Sequence, residues 1–247
     1  MSVAIVTGAS RGLGRALAGG LAGRGWSLVV DGRDPEALAA AAEELRALEP
    51  PGGQVVAIPG DVTDPAHRRA LAEAAHALGG LDALVNNAGV LGPSPLPPLA
   101  SYPLDGLRDV FEVYVAAPLA LFQETARLLR AAPGGGRVVF VTSDAAVEPY
   151  PGWGGYGAAK AAAERIAAGL GAEEPSLRVW ALDPGDLRTR MHQEAFPGED
   201  ISDRPEPEAV VPAVVGLIES DRPSGRVQAA ELTQGAGGSA PIGGVAS

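Results

Sequence analysis

The 247-residue sequence contains no cysteine, which excludes disulfide bonds, thiolate chemistry and cysteine-based zinc sites. Aromatic residues make up only 4% of the chain, and no run of about 18 apolar residues indicates a membrane span. The first residues lack the basic segment of a secretory signal peptide. Basic residues are also scarce, 19 against 30 acidic ones, and the net charge of −11 disfavours nucleic-acid binding. We therefore expect a cytoplasmic protein with no nucleic-acid or membrane partner.

Two residue types are nearly absent. Lys160 is the only lysine, every other basic residue being arginine, and Asn86 and Asn87 are the only asparagines. The abundance of alanine, glycine and proline suggests a coding bias against lysine and asparagine codons. A residue that persists against such a bias is more often needed for its chemistry. These three residues are therefore candidates for a functional site.

Apolar runs rich in β-branched residues alternate with helical stretches along the chain. The predicted strands cover residues 3–6, 27–30, 54–58, 81–85, 137–142, 177–182 and 226–232. The predicted helices cover residues 13–24, 35–48, a stretch beginning at 65, 156–170 and 207–219, and one long helix or a pair of helices covers residues 104–131. This alternation predicts an α/β fold, a single doubly wound Rossmann-type domain over residues 1–232 with a mostly parallel sheet of about seven strands. Residues 233–247, rich in Gly, Ala and Ser, are predicted to be a flexible C-terminal tail.

A glycine-rich segment joins the first predicted strand to the first predicted helix. Its glycines would let the main chain approach a pyrophosphate, whose charge is favoured by the helix N-terminus. The alternative is a glycine-rich turn without a ligand, but the position after the first strand of a βαβ unit favours a nucleotide site. The candidate cofactor-binding residues of this segment are Gly8, Ser10, Arg11, Gly12, Leu13 and Gly14.

The spacing Thr-Gly-xxx-Gly-x-Gly in this segment resembles that of the short-chain dehydrogenase/reductase family, and the resemblance extends over about residues 3–232. Residues 86–89, at the end of the fourth predicted strand, are similar to the family's Asn-Asn-Ala-Gly element. The resemblance implies further cofactor contacts at the adenosine and at the nicotinamide. The adenosine residues are Asp61, Val62, Asn87, Ala88 and Gly89, and the nicotinamide residues are Pro184, Gly185, Leu187 and Thr189. The segment around Asp61 could equally be a turn followed by a helix cap.

The end of the second predicted strand bears on the choice between NAD and NADP. An acidic side chain at the ribose would hold the 2′-hydroxyl and repel a 2′-phosphate. The resemblance places Gly32 where NAD-dependent relatives carry that acid and Arg33 where the phosphate is bound, with Arg11 as a second arginine. We therefore expect NADP as the cofactor. NAD remains the alternative, because Asp31 could reverse the preference.

A serine, a tyrosine and the only lysine have the pattern of a catalytic group. Tyr156 and Lys160 are four residues apart on a predicted helix and share one face, and Ser143 follows the fifth predicted strand. The set resembles the family's Ser…Tyr-xxx-Lys signature. It implies that Tyr156 exchanges a proton with the reacting oxygen, that Ser143 hydrogen-bonds this oxygen, and that Lys160 lowers the pKa of Tyr156 and binds the nicotinamide ribose. The alternative is an exposed Tyr/Lys pair on an amphipathic helix.

Tyr114 departs from the family's pattern, which usually has at this position an asparagine that holds a water between the lysine and solvent. Either Tyr114 supports that water through its hydroxyl or its backbone carbonyl, or the proton relay is weakened. We expect a working enzyme, because a missing relay slows proton exchange without removing the acid itself.

The acidic, proline-rich segment 186–207 is predicted to be a substrate lid. Its residues Arg188 and Arg190 are expected to pair with neighbouring acids or the cofactor, the alternative being that they bind a phosphate or an acidic substrate. Trp153 and Tyr150 would either wall the substrate pocket or pack in a core or interface.

The three histidines lack the spacing of metal ligands, so no metal is expected. His67 and His76 are predicted to be solvated helix residues and His192 a lid residue. Arg68 and Arg69 are predicted to form a solvated charged face.

The leading hypothesis is an NADP-dependent oxidoreductase, a carbonyl reductase or alcohol dehydrogenase acting on a small molecule. A non-catalytic NADP(H)-binding sensor is the alternative, motivated by Tyr114. An epimerase or dehydratase is disfavoured, because such enzymes usually carry a substrate domain for which 247 residues leave no room. The resemblance also implies a homodimer or homotetramer formed through the helices predicted at 104–131 and 156–170.

Overall fold

The computed structural model describes residues 1–48 and 53–235, with side chains described as far as residue 232. A seven-stranded sheet, in which every strand pair is parallel, lies at the centre in the order β3-β2-β1-β4-β5-β6-β7. Its strands are β1 (Val3–Val6), β2 (Ser27–Gly32), β3 (Val55–Pro59), β4 (Ala83–Asn86), β5 (Arg137–Val141), β6 (Arg178–Asp183) and β7 (Gly225–Gln228). The predicted doubly wound parallel fold is confirmed. Since the strand order reverses between β1 and β4, ligands are expected at the carboxyl ends of these strands.

Helices cover both faces of the sheet. They are α1 (Gly12–Ala22), α2 (Pro35–Leu48), α3 (Pro65–Ala77), α4 (Leu104–Phe111), α5 (Ala117–Ala131), α6 (Gly154–Glu173), α7 (Arg190–Ala195), α8 (Val211–Ile218) and α9 (Ala229–Gly235). The starts of α2 and α3 follow their sequences, because Asp34 accepts a hydrogen bond from the Ala37 amide (3.1 Å) and Asp64 one from the Ala66 amide (2.8 Å).

The sheet separates two apolar layers. On one face Leu17 and Val215 belong to a cluster that packs α1 and α8 against the sheet. On the other face Leu71, Leu121 and Leu170 belong to a cluster that packs α3, α5 and α6. The strands are covered on both sides, which explains their continuous apolar sequences. Within the two described ranges, no helix has the length and apolar character that crossing a membrane requires.

For residues 104–131 the second predicted alternative, a pair of helices, is confirmed, since the π-helical turn Glu112–Ala116 separates α4 from α5. Two other predictions need correction. The helix predicted at 207–219 begins as the 3-10 turn Pro207–Val210 before α8. The last strand ends at Gln228 rather than at residue 232, because the run Ala-Ala-Glu-Leu that follows has high helix propensity and forms the start of α9. Residues 236–247 of the predicted tail lie outside the described residues.

Candidate active site

A cleft of about 1000 Å³ opens at the carboxyl ends of the strands. The candidate residues proposed from the sequence line it, with the exception of Gly14. They are Gly8, Ser10, Arg11, Gly12, Leu13, Arg33, Asp61, Val62, Asn87, Ala88, Gly89, Ser143, Tyr156, Lys160, Pro184, Gly185, Leu187 and Thr189. Residues far apart in the chain therefore meet at one edge of the sheet.

The glycine-rich segment between β1 and α1 forms a tight cradle. Gly8 has a φ of +67°, and a Cβ added there would lie 2.8 Å from the Ala88 Cα. A Cβ at Gly14 would overlap Gly8 and Asn87, so Gly14 serves packing rather than the cleft surface. Asn87 fixes the cradle, because its Nδ2 donates to the Thr7 carbonyl oxygen (2.8 Å) and its backbone N–H donates to Thr7 Oγ1 (3.0 Å). Asn87 thus connects the chain after β4 to the chain after β1.

Asp31 also supports the cradle, from within the core. Its side chain is only 1% exposed; Oδ1 accepts from the Gly8 amide (2.6 Å) and Oδ2 contacts His67 Nε2 (3.0 Å). The prediction that His67 is solvated is therefore wrong. The spacing could have revealed this, because His67 lies on the same face of α3 as the buried Leu71 and Ala75.

Arg68 is buried as well, which corrects the predicted solvated pair of arginines. Its guanidinium donates to the Val62 carbonyl oxygen (2.7 Å) and so fastens the turn that follows β3. Arg69, its neighbour, is exposed as predicted.

The two arginines expected to bind a phosphate differ in their surroundings. Arg11 pairs with Asp34 at 3.2 Å. Arg33 is exposed at the cleft and makes no ion pair with any residue that the structure describes. The charge of Arg33 also acts on Asp61. Burial opposes ionisation of this carboxyl, but the hydrogen bonds from Thr63 and the charge of Arg33 lower the pKa of Asp61 below its ordinary value.

Ser143, Tyr156 and Lys160 meet in a buried corner of the cleft. Ser143 lies two residues after the end of β5, Tyr156 lies in the first turn of α6, and Lys160 lies one turn further on. The Ser143 and Tyr114 hydroxyls lie near that of Tyr156, and they donate to the Asp144 carboxylate (2.9 Å) and to the Val90 carbonyl oxygen (2.7 Å). Lys160 Nζ donates to the Val141 carbonyl oxygen (2.7 Å) and lies 5.5 Å from the centre of the Tyr156 ring.

Burial controls the acidity of this corner. It lowers the pKa of Lys160 to about 7, against the opposing charges of Glu164 and Asp183. It raises the pKa of Tyr156, although the neighbouring Ser143 and Tyr114 hydroxyls act in the opposite direction. The lowering of the pKa of Tyr156 by Lys160 together with the positive nicotinamide stays a prediction for the cofactor-bound protein.

Tyr114 occupies the π-helical turn and is 4% exposed. Its hydroxyl donates to the Val90 carbonyl oxygen (2.7 Å), and its ring meets that of Tyr156 edge-on with centres 5.5 Å apart. Lys160 Nζ lies 3.9 Å from the centre of the Tyr114 ring. A Cβ at Gly89 would lie 2.5 Å from the Tyr114 hydroxyl, so the glycine makes room for this phenol.

Sequence reasoning missed a polar network behind the corner. Arg226 on β7 donates to Glu164 Oε1 and to Asp183 Oδ2, both at 3.0 Å. Glu164 also accepts from Thr142 Oγ1 (2.8 Å), next to Ser143. One signal was available, since Glu164 lies one helical turn after Lys160 and therefore on the same face of α6.

The remaining part of the cleft is aromatic and acidic. Trp153 packs edge-on against Tyr156 with ring centres 5.4 Å apart. The ring centre of Phe196, from segment 186–207, lies 5.9 Å from that of Trp153. Asp144, which sequence reasoning also missed, accepts from Ser143 Oγ (2.9 Å) and from the Tyr150 hydroxyl (2.8 Å). The wall opposite the nucleotide cradle thus offers flat apolar surfaces beside a carboxylate.

The segment 186–207 contains α7, whose first turn is capped by Thr189 through the His192 amide (3.1 Å). Its arginines pair with acids nearby, Arg188 with Glu206 and Arg190 with Glu194. Both arginines therefore pair with neighbouring acids, which is the expected alternative. Among the residues described, no group of three or more His, Asp or Glu side chains is arranged to hold a metal ion.

The chain resembles known proteins over most of its length. Residues 2–200 match the family model of short chain dehydrogenases. Sepiapterin reductase from Rattus norvegicus is 36% identical over 201 residues, which cover 78% of this chain and 76% of the relative. A chloroplastic NADPH-dependent aldehyde reductase-like protein from Arabidopsis thaliana is 30% identical over 236 residues, covering 91% and 82%. A short chain dehydrogenase from Shigella flexneri, solved in complex with NADP, superposes with a TM-score of 0.85 at 29% identity, covering 93% of this chain and 97% of that one.

Proposed function

The chain belongs to the short-chain dehydrogenase family, and we propose that within this family of oxidoreductases it interconverts a carbonyl and a hydroxyl group of a small molecule with NADP as cofactor. The observation that carries the proposal is the meeting of Ser143, Tyr156 and Lys160 at one end of a cleft whose other end is the glycine-rich cradle. Both the hydride transfer and the proton transfer of such a reaction would then occur in the same buried part of the cleft.

The residues of the cleft fit a dinucleotide. A volume of about 1000 Å³ lies at the upper end of what small-molecule and cofactor sites need. At Gly8 the left-handed conformation and the missing Cβ bring main-chain amides to the start of α1, where a pyrophosphate is favoured. Lys160, with one acceptor among the described residues for its three N–H donors, faces the cleft where the nicotinamide ribose would lie.

The surroundings of Asp31 support NADP over NAD. The carboxylate that could have bound a ribose 2′-hydroxyl is instead held by Gly8 and His67 inside the core. Arg33, exposed and without an ion pair in the described chain, is available for a 2′-phosphate, and Arg11 lies in the same cleft. The NADP complex of the Shigella relative agrees with this assignment.

The mechanism follows from the arrangement of the hydroxyls. The nicotinamide, when bound, supplies or accepts the hydride. Tyr156 gives its phenolic proton to the substrate oxygen during reduction, or takes it back during oxidation, and Ser143 holds that oxygen in place. Lys160 favours the phenolate by its charge. Trp153 and Phe196 keep water away from the reacting oxygen, which strengthens these polar contacts.

Tyr156→Phe tests the proposal, because it removes the acid and keeps the ring. We expect kcat for reduction of a carbonyl panel to fall about 10³-fold, within the usual range for loss of a general acid. The dissociation constant for NADPH, measured by fluorescence, should stay within about 2-fold. Stopped-flow mixing with NADPH, monitoring its absorbance loss in a single turnover, separates chemistry from product release.

Tyr102→Phe is the matched control. This change also removes one buried phenolic hydroxyl, but one without a hydrogen-bond partner among the described residues. Its activity should equal that of the wild type. Equal rates for Tyr156→Phe and wild type would remove Tyr156 as the acid, and wild-type protein that binds NADPH but reduces no aldehyde, ketone or quinone would instead indicate a cofactor sensor.

A further inference from the structure

We propose that Tyr114 is a positioning residue that holds the Lys160 ammonium against its aromatic face and keeps this lysine charged inside the buried site. Lys160 Nζ lies 3.9 Å from the centre of the Tyr114 ring and 2.7 Å from the Val141 carbonyl oxygen. Both side chains are 4% exposed. The ammonium is therefore placed between a carbonyl oxygen and a π face, with little water to replace either contact.

The Tyr114 ring is fixed from three directions. Its hydroxyl donates to the Val90 carbonyl oxygen, its edge meets the ring of Tyr156, and the missing Cβ of Gly89 leaves space for its outer end. The π-helical turn Glu112–Ala116 contributes the extra residue that directs the side chain inward. A ring held in this way loses little freedom when it contacts a cation.

The other groups around Lys160 do not replace this contact. Glu164 on α6 and Asp183 on β6 favour its charged form, but each of them also pairs with Arg226 on β7. Tyr156, on the same helix, is neutral at physiological pH. Burial acts strongly against the ammonium. A desolvated cation–π contact corresponds to a shift of about 1 to 1.5 pKa units, enough to decide the charge of a lysine that titrates near neutrality.

The role of Tyr114 in turnover rests on the proposed function, since a charged Lys160 is what makes the Tyr156 phenolate accessible. The charge state of Lys160 itself does not depend on that proposal. It can be measured directly, because Lys160 is the only lysine in the chain. Protein grown with 13C-labelled lysine therefore gives one Cε resonance, whose shift with pH reports the titration of this side chain.

The experiment compares Tyr114→Leu with Tyr114→Phe in the full-length protein without added cofactor. Tyr114→Leu removes the π face, and we expect the midpoint of the Lys160 titration to fall by about 1 unit below the wild-type value. Tyr114→Phe keeps the ring and removes only the hydroxyl, so its midpoint should stay within about 0.3 unit. An unchanged or raised midpoint in Tyr114→Leu, or an equal fall in Tyr114→Phe, would overturn the proposal.

A second variant covers the case in which the leucine protein does not fold. Replacing Tyr114 by pentafluorophenylalanine nearly preserves the ring volume but reverses its quadrupole, so the face next to Nζ becomes positive. We expect a midpoint at least as low as that of the leucine variant. A midpoint equal to that of Tyr114→Phe would show that packing alone sets the charge of Lys160, and the proposal would fail.

The same variants should also differ in the pH dependence of kcat. Because a less charged Lys160 leaves the pKa of Tyr156 higher, the rising limb of kcat for alcohol oxidation should move to higher pH in Tyr114→Leu, and it should move less in Tyr114→Phe, which keeps the π face. If the titration shifts but no turnover is found in any variant, the proposed function fails while the role of Tyr114 stands.

Discussion

At the scale of single residues, Asp31 illustrates how burial decides specificity. From the sequence, this carboxylate could have bound a ribose 2′-hydroxyl. In the fold both of its oxygens are engaged, one by the Gly8 amide and the other by His67. Withdrawing a carboxylate that is 1% exposed and hydrogen-bonded through both oxygens costs several kcal/mol, which disfavours its use by a ligand. The choice between the cofactors passes to Arg33.

Arg33→Ala should therefore narrow the preference for NADPH over NADH. One charge-assisted hydrogen bond contributes about 1.5 to 3 kcal/mol, which corresponds to a fall of about 10- to 150-fold in the ratio of the two kcat/KM values. The NADH value itself should change little, since NADH has no 2′-phosphate. Initial rates with both cofactors at one carbonyl concentration measure the ratio.

Arg24→Ala is the control for loss of one positive charge. Arg24 follows α1 at the end remote from the cradle, where it pairs with Glu219. Its cofactor ratio should equal that of the wild type. An unchanged ratio in Arg33→Ala, together with a lowered ratio in Arg11→Ala, would transfer the phosphate-binding role to Arg11.

At the scale of elements, helix α3 supports a loop that it does not adjoin in sequence. His67 on α3 contacts Asp31 at the end of β2, and Asp31 holds the Gly8 amide of the loop after β1. Two buried side chains thus connect three elements. The cradle is held in its binding conformation before a ligand arrives, which reduces the entropy cost of binding.

His67→Leu should weaken both the fold and the cradle. It leaves the buried Asp31 carboxylate without one partner, so the free energy of unfolding in urea should fall by about 2 kcal/mol. The dissociation constant for NADPH should rise about 5-fold, because Gly8 loses its fixed acceptor. Urea titration and NADPH fluorescence measure the two effects separately.

The same helix offers a control, since His76 is exposed. His76→Leu should change the free energy of unfolding by less than about 0.5 kcal/mol and leave NADPH binding unaltered. His67→Gln should recover part of both losses, because its amide can donate to Asp31. Wild-type NADPH affinity in His67→Leu would mean that the cradle is positioned without α3.

Local patterns predicted the elements and the candidate residues that depend on them. The glycine spacing after β1 and the Tyr-xxx-Lys pair on α6 are local, because a turn or one helical face contains the whole pattern. The links of Arg226 to Glu164 and to Asp183 span 62 and 43 residues, and no local period records them. The prediction that the last strand continues after Gln228 was wrong for another reason, because a short apolar run does not distinguish a strand from a helix.

At the scale of the whole molecule, the charge of −11 matters where substrate would bind. Asp144, Asp186 and Glu194 line the part of the cleft beyond Tyr156, and Arg190 is paired there with Glu194. Asp144 makes no ion pair within the described chain; its partners are the Ser143 and Tyr150 hydroxyls. A negative potential at the reacting corner favours a substrate that is neutral or positively charged.

Aromatic aldehydes of similar size that carry a trimethylammonium, a neutral or a carboxylate substituent should be reduced in that order of kcat/KM. One uncompensated charge near a partly hydrated cleft corresponds to about 1 kcal/mol, or about 5-fold for each step at low salt. The differences should shrink at about 1 M salt, where the Debye length is about 3 Å.

Asp144→Asn keeps the acceptor for Tyr150 and removes the charge, so it should remove most of the preference for the cation. Glu73→Gln, an equal charge change on the exposed face of α3, should leave the preference intact. If the wild type instead prefers the carboxylate substrate, Arg190 exchanges its ion pair with Glu194 for one with the substrate. The acidic residues of the cleft would then not select against anionic substrates.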